Sequence, residues 1–313
     1  MKKYLFTLLA SIIGISSYSQ SIEDGKSLIE AYVSPLGYSL GAALNNGWYN
    51  TAKPHKLGGF DVTIVANIVM VPTNAKTFNI SESGGSTFTG KETPTILGSG
   101  NGAEVYFNPQ NVGGNKFGMP NGLNIPIVPL PMLQAGVGLI KGTELDFRYM
   151  PELKIGSAGK VGLFGIGFKH DLLQWIPVIG DAIPISLSLQ AGYTKLSSKI
   201  ELIDPTASSD PSANLDISAT TINLILSKKL LMFTPYVGLG YNSTKTMFKV
   251  HENYDIAGLT INVAELTKID FESKNNFRAN IGFRFNITVI ALQANYTFSE
   301  YPTATLGVGV SLR

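Results

Sequence analysis

The sequence predicts an antiparallel β-barrel that crosses a membrane. Apolar and polar residues alternate strictly along many stretches, most clearly from Asn275 to Arg313. Only 15% of the 313 residues are charged and 33 are glycines, which suits strands between lipid and an uncharged polar lumen. The connections between strands are short at one end and long at the other. A soluble sandwich would bury the apolar faces, whereas a membrane barrel turns them to lipid, and the pattern favours the barrel.

The first nineteen residues have the features of a signal peptide. Lys2 and Lys3 precede an apolar run from Leu5 to Ile15, and Ser17-Tyr18-Ser19 has the small-x-small pattern of a cleavage site. The apolar run is shorter than the ~20 residues that a spanning helix needs. We therefore expect a signal peptide at 1–19 and an exported protein. The chain has no cysteine, which excludes disulfides, thiolate metal ligands and a lipid-bearing cysteine after the cleavage site.

Residues 20–57 are the least strand-like part of the remaining chain. Residues 24–33 can form one short amphipathic helix, and residues 35–49 are rich in small side chains that could pack inside another element. In a barrel this segment would be a short helical plug in the lumen; in a sandwich it would be a covering pair of helices. We expect an N-terminal plug at 20–57 and the barrel at 58–313.

Ten segments have the period of a strand. Further hairpins within 72–131 and 251–274 would raise the number to 12 or 14, so the expected barrel has 10–14 strands, with 12 as the preferred number. The run 125–131 contains three prolines, which predicts that it is not a central strand. The ten segments are 60–71, 133–140, 143–149, 160–170, 185–195, 215–228, 234–249, 277–286, 290–298 and 303–312.

The lengths of the connections assign the two ends of the barrel. If the N-terminus of the mature chain is placed in the periplasm, short turns fall at that end and long loops at the other, as in outer-membrane barrels. The exception is 171–184, which falls at the short-turn end. Its run Trp175–Pro184 could be a mobile apolar element at a ligand exit, or a turn with Trp175 at the lipid headgroups.

No pattern of catalytic residues is present. His55, His170 and His251 lie in separate segments without metal-ligand spacing, so we expect no metal site and no cofactor. The glycine-rich stretch 98–102 lacks the helix and lysine of a phosphate-binding loop. The net charge of +2 gives no reason to expect a nucleic-acid partner. We expect a protein that is not an enzyme, although an outer-membrane hydrolase remains an alternative.

Charged residues on the polar faces of the strands are candidates for the lumen wall. Such charges can pair with one another across the barrel, hold a plug, or set the selectivity of a pore. The inward charges are Asp61, Glu144, Asp146, Arg148, Lys169, Arg278, Arg284 and Arg313. The candidate ligand and lumen residues are Trp48, Asp61, Glu144, Asp146, Arg148, Arg278 and Arg284.

Two resemblances add to this interpretation. The signal peptide and the small-residue segment ending in Asn45-Asn46-Gly47-Trp48-Tyr49 resemble the architecture of the long-chain fatty-acid transporter family. That resemblance implies a plugged barrel of fourteen strands that passes hydrophobic molecules laterally. Residues 47–49, 53–56, 59–61 and the run 175–184 resemble an uncharacterised family of predicted outer-membrane barrels, which implies the fold and no particular activity.

The sequence therefore predicts a monomeric barrel in the outer membrane. We expect it to bind or pass small hydrophobic molecules, to be gated by its N-terminal plug, and to have membrane lipid as its partner. One alternative is a structural or adhesive barrel that acts through the long loops at 72–131 and 251–274. Another is an open, water-filled porin.

Overall fold

The computed structural model describes residues 19–107, 116–154, 159–176, 184–201, 212–251, 253–256, 259–262, 268–273 and 277–312. The expected signal peptide up to residue 18, the part 177–183 of the run near Trp175, and Arg313 lie outside these residues.

The chain begins its described part with one long helix, followed by strands. The N-terminal helix, Ser19–Asn45, is 27 residues long and includes Pro35, so it is much longer than the predicted helix at 24–33. Within the described ranges, no helix is both long and apolar enough to cross a membrane. The strands are β1 (Phe60–Met70), β2 (Thr77–Asn79), β3 (Phe88–Gly90), β4 (Glu92–Pro94), β5 (Glu104–Phe107), β6 (Lys116–Gly118), β7 (Ile127–Gly138), β8 (Thr143–Lys154), β9 (Lys160–Asp171), β10 (Ser186–Glu201), β11 (Ser212–Ser227), β12 (Phe233–His251), β13 (Asn253–Ile256), β14 (Leu259–Asn262), β15 (Ile269–Glu272), β16 (Phe277–Ile287), β17 (Ile290–Phe298) and β18 (Thr303–Leu312).

Ten of the described strands close into an antiparallel barrel. Their order around the ring is β1-β7-β8-β9-β10-β11-β12-β16-β17-β18, and β18 pairs again with β1 from Phe60↔Leu312 to Val69↔Thr303. β15 adds one further strand beside the far end of β12. Closure leaves the ring without an unpaired edge, which is the condition for a sheet to cross a membrane.

The outside of the barrel is apolar and exposed. Side chains alternate along each strand, so that Ile64 is 60% exposed while its neighbours Thr63 and Val65 are buried. In water, an apolar surface of this extent around a closed barrel would be strongly unfavourable, whereas lipid covers it at no cost. Other large outward side chains are Leu133, Phe164, Ile166, Ile222, Leu224, Val237, Leu239, Ile281, Leu306 and Val308.

The preferred number of twelve strands is wrong, because the extra strands do not enter the ring. In the segment after β1, β2 pairs with β4, and β5 pairs with β3 and β6, in two small separate sheets. The segment 72–131 therefore contains short strands, as the predicted hairpin requires, but they do not extend the ring. In the later loop, β13 and β14 pair only with each other.

The proline-rich run belongs to a strand of the ring, but it lies where that strand is not central. β7 begins at Ile127 and includes Pro129 and Pro131, which lie opposite residues of β1. Its ladder with β8 starts only at Leu133, so the prolines lie where one side of the strand has no described partner. A strand can contain prolines where no ladder hydrogen bond needs their missing N–H groups.

The two ends of the barrel differ as the connections predicted. We call the end with tight turns the short-turn end; its turns include Lys141, Leu231 and Thr288, each with φ between 53° and 57°. We call the opposite end the long-loop end. The N-terminal helix starts there, since Asp24 accepts a hydrogen bond from the Thr87 amide. The described part of the chain thus begins at the long-loop end, not at the short-turn end where the N-terminus was expected, and the helix runs down the lumen.

Candidate functional site

The N-terminal helix lies inside the barrel against the walls. It contacts strands on several sides, including β1, β7, β10, β11 and β12. Two glycines allow a close approach: a Cβ on Gly41 would lie 2.5 Å from Thr244 Cγ2, and one on Gly37 would lie 2.7 Å from the Phe271 ring. The small residues that predicted internal packing therefore do pack against the lumen wall.

Two buried arginines of the wall bind the C-terminal end of this helix. Arg148 donates from Nη1 to the Leu44 carbonyl at 2.8 Å and from Nη2 to the Asn46 carbonyl at 2.7 Å. Arg278 donates from Nη1 to the Asn45 carbonyl at 2.6 Å. The last carbonyls of a helix lack partners within it and carry its negative dipole end, so guanidinium groups are well suited to this position.

Amide side chains bind the remaining carbonyls of the last turn. Asn67 of β1 donates to the Ala43 carbonyl at 2.7 Å, and Asn46 donates to the Ala42 carbonyl at 2.8 Å. Together with the two arginines, these bonds satisfy the last four carbonyls of the helix. We call Asn67, Arg148 and Arg278 the helix-end anchor, because each reaches from a strand to the end of the helix.

Trp48 lies next to the helix-end anchor, on its side towards the short-turn end. The Arg148 guanidinium carbon lies 3.7 Å from the centroid of the Trp48 ring, a close cation–π contact. The ring fills space left by wall glycines, since a Cβ on Gly167 or Gly192 would approach it to 2.6 or 2.4 Å. Trp48 is 1% exposed, so the wall is shaped around this side chain.

A charged cluster lies between the helix-end anchor and the short-turn end. Glu144 accepts a hydrogen bond from Lys169 Nζ at 2.6 Å and lies 2.7 Å from His55 Nδ1. The His55 backbone amide also donates to Glu144, at 2.6 Å. Since Glu144 and Lys169 are both buried, their opposite charges compensate each other, and His55 contributes a further polar contact to Glu144.

A second part of the cluster surrounds Asp61. Its Oδ2 lies 3.7 Å from His55 Nε2 and 3.9 Å from Arg284 Nη1. Arg284 also donates to Asn50 Oδ1 at 2.7 Å, so it joins the N-terminal segment to β16. The whole charged cluster consists of His55, Asp61, Glu144, Asp146, Lys169 and Arg284.

Asp146 lies where the carboxylates of the cluster converge. A Cβ on Gly136 would lie 3.0 Å from Asp146 Oδ1, 3.2 Å from Asp61 Oδ1 and 3.3 Å from Glu144 Oε1. Asp146 Oδ2 has no hydrogen-bond partner within the described part of the chain. No group of three His, Cys, Asp or Glu residues there has the arrangement of a metal site.

The long-loop half of the lumen is apolar, in contrast. The helix residues Leu28, Ile29 and Tyr32 pack against inward side chains of the strands and against the segment after β1, all of them buried. The inward apolar wall residues are Val65, Val69, Val128, Leu130, Met132, Met150, Val161, Leu163, Leu196, Leu215, Ile217 and Phe248.

The structure places all seven candidate residues inside the barrel, where they are buried. Arg148 and Arg278 bind the helix end, while Asp61, Glu144, Asp146 and Arg284 belong to the charged cluster, with Trp48 between the two groups. Sequence reasoning did not place His55 among the lumen residues, because it considered this histidine only as a metal ligand and rejected that role. Its position depends on the path of residues 50–57 through the lumen, and no spacing in the sequence signals that path.

His170 also lies apart from the cluster. It contacts Thr143 and accepts a hydrogen bond from Trp175 Nε1 at 2.9 Å, at the short-turn end. Trp175 itself is 63% exposed.

Comparison with known proteins gives a family and a set of weak structural likenesses. A family model described as a family of unknown function, DUF6588, matches residues 1–312. The chain belongs to this family. The resemblance to an uncharacterised family is thus confirmed, while the specific similarity to fatty-acid transporters is not. Among curated proteins, none matches the chain.

The solved structures that resemble this member of the DUF6588 family are membrane barrels at about 10% identity. The attachment invasion locus protein Ail of Yersinia pestis, bound to a heparin analogue, has a TM-score of 0.29 and 10% identity, with 82% of this chain and 100% of Ail covered. The translocator domain of the autotransporter NalP from Neisseria meningitidis has a TM-score of 0.31 and 10% identity, with 83% of this chain and 90% of the translocator domain covered. A mutant of TodX, a monoaromatic hydrocarbon channel, has a TM-score of 0.29 and 10% identity, with 88% of this chain and 75% of the TodX chain covered.

Proposed function

We propose that this protein is a plugged outer-membrane barrel that passes small hydrophobic molecules, with residues 20–57 as the gate. The observation that carries the proposal is the position of this segment. It runs through the lumen from the long-loop end, and side chains of the wall hold its helix end and Trp48. A barrel needs no such segment for closure, because its ten strands already close the ring.

The apolar half of the lumen supports a hydrophobic cargo. Inward side chains such as Val69, Leu163 and Leu215 pack against apolar residues of the helix. When the helix shifts, these walls become an apolar surface that water solvates poorly and that hydrophobic molecules can cover. An open porin would instead have polar, hydrated walls, whereas these walls are buried.

The helix-end anchor supports a gate in which the helix moves as one unit. Its hydrogen bonds are directional and converge on one turn, so a shift of the helix end breaks them together. Because the charged cluster lies below the anchor, it can hold residues 50–55 while the helix moves. The proposal involves a monomer with lipid around it, and no covalent chemistry, metal, cofactor or nucleic acid.

One observation favours adhesion as a second candidate function. The segment after β1 folds into two small sheets beside the helix start and presents exposed side chains such as Tyr106 at the long-loop end. An ordered surface there could contact a partner outside the cell. In that case the plug would be a permanent support for the loops rather than a gate.

Conductance in a planar bilayer separates these functions. The detergent-folded protein is compared with a variant lacking residues 21–57, after circular dichroism has established that both contain the barrel. We expect the full-length protein to be silent and the deletion to conduct steadily. Steady conductance of the full-length protein would show a porin and contradict the plug.

Uptake by vesicles then tests the cargo. We expect the full-length protein to raise the entry of a small aromatic hydrocarbon but not that of a sugar of similar size. If neither enters and conductance is absent in both forms, the proposal of transport is wrong and the loops become the functional part.

A further inference from the structure

The outer face of β9–β12 carries lysines at one level, just beyond the apolar band at the long-loop end. In the β9–β10 ladder Lys160 lies opposite Lys199, and the same cross-strand line continues through Asn214 to Lys249. We call Lys160, Lys199 and Lys249 the upper lysine row. All three side chains are on the outward face of their strands.

A second row lies nearer the apolar band. Lys195 of β10 lies opposite Ser218, and Ser218 lies opposite Lys245 of β12. We call Lys195 and Lys245 the lower lysine row. It lines a groove of about 480 Å³, together with Asp216, Asp270 and Glu272.

An apolar groove adjoins the lysine rows on the same strands. It measures about 640 Å³ and is lined by outward side chains of β10, β11, β12 and β16. Counted along β12, Tyr241 of this groove is four residues from Lys245, or about 13 Å at the rise of a strand. Its outward lining residues include Leu189, Ile222, Leu224, Leu239, Tyr241 and Phe277.

The charges at this level favour an anionic occupant. Lysines directly opposite each other, as Lys160 and Lys199 are, repel and destabilise a sheet unless a counter-charge joins them. Two of the nearby carboxylates already have partners, because Glu272 lies 2.9 Å from Lys245 and Asp270 lies 3.0 Å from Lys268. Glu272 therefore neutralises Lys245, and the excess of positive charge among the described outward side chains comes from Lys195 and the upper lysine row.

We propose that this surface binds a phosphorylated, acylated lipid of the outer leaflet. The phosphate groups contact the two lysine rows, and an acyl chain lies in the apolar groove below them. Lysine rows alone would attract any anion, and the apolar groove alone would accept any lipid chain. The two features adjoin on the same strands, so a lipid that carries both groups fits best.

Binding of lipid A to the detergent-folded protein tests this proposal, measured by native mass spectrometry. The test variant is Lys195→Ser/Lys199→Ser/Lys245→Ser, and the matched control is Lys228→Ser/Lys229→Ser at the short-turn end. We expect the triple change to weaken binding of lipid A roughly a hundredfold. The control should bind as the unchanged protein does. Heat-dependent electrophoretic mobility establishes that each variant is folded.

Two further ligands make the result decisive. Lipid A from which the phosphates have been removed should bind as weakly as the triple variant binds intact lipid A. Inorganic phosphate alone should not displace lipid A, since it cannot occupy the apolar groove. Equal binding of dephosphorylated lipid A, displacement by inorganic phosphate, or undiminished binding by the triple variant would each overturn the proposal.

Discussion

The two halves of the lumen hold the N-terminal segment by different forces. In the long-loop half, apolar residues such as Leu28 and Leu163 pack against each other. In the short-turn half, the helix-end anchor and the charged cluster bind the segment through hydrogen bonds and ion pairs. Apolar packing depends little on direction, whereas buried charges tolerate only one arrangement. The polar half therefore fixes the position of the segment. In the gate proposed above, the apolar half would be the surface along which the helix shifts.

The largest effect is expected from the helix-end anchor. Replacing Arg148 with methionine removes its bonds to the Leu44 and Asn46 carbonyls and its contact with Trp48. Because buried acceptors are left without donors, we expect the free energy of unfolding to fall by about 4 kcal/mol. Urea unfolding in detergent, followed by tryptophan fluorescence, measures this loss. Arg148→Lys should lose about half as much, and equal stability of all three proteins would contradict the role of the anchor.

A slightly smaller effect is expected from the charged cluster. Glu144→Gln removes the carboxylate that lies 2.6 Å from the buried Lys169 Nζ, so we expect a loss of about 3 kcal/mol in the free energy of unfolding. Adding Lys169→Met to this variant should restore part of the stability, because the unpaired charge is gone. A double-mutant cycle measures the coupling. Strictly additive losses would show that the two residues do not depend on each other.

A substitution in the apolar half of the lumen should lower the free energy of unfolding without changing the position of the N-terminal segment. Leu28→Ala should cost about 2–3 kcal/mol through the cavity it leaves, since Leu28 is fully buried. Leu57→Ala is the matched control, because Leu57 is 71% exposed and its truncation should change little. The Leu28 variant should remain silent in a planar bilayer. Steady conductance of this variant would mean that apolar packing, rather than the anchor, fixes the segment.

The smallest effect is expected for a hydrogen bond between two uncharged side chains at the end of the helix. Asn45 donates to Thr244 Oγ1 at 3.0 Å, and Asn45→Ala should cost about 1 kcal/mol. Thr244→Val removes the same bond, so the double variant should lose no more than one single variant. Losses that add would indicate separate interactions for the two residues.

Alternation along the strands was sufficient to predict the barrel and its inward charges. The same ten segments form the ring, because a period of two fixes which face each residue occupies. Pattern alone does not say which strands pair, and the short strands after β1 pair locally instead of entering the ring. For that reason the preferred strand number was wrong.

The path of the N-terminal segment could not be predicted from the sequence. The predicted helix covered only residues 24–33, whereas the observed helix includes Pro35 and continues to Asn45 within the lumen. The contacts that hold its end come from residues over a hundred positions away, such as Arg148 and Arg278. His55 joins Glu144 in the same way, through the three-dimensional path of the chain.

A reversible cross-link between helix and wall tests the gate most directly. A Cβ on Gly41 would lie 3.1 Å from Thr244 Cβ, so a small outward shift of the helix brings the pair to the ~3.8 Å typical of a disulfide, and the natural chain has no cysteine. In vesicles containing Gly41→Cys/Thr244→Cys, we expect oxidation to stop entry of a small aromatic hydrocarbon and reduction to restore it. The two single-cysteine variants should respond to neither treatment. Equal entry before and after oxidation would contradict a movable N-terminal gate.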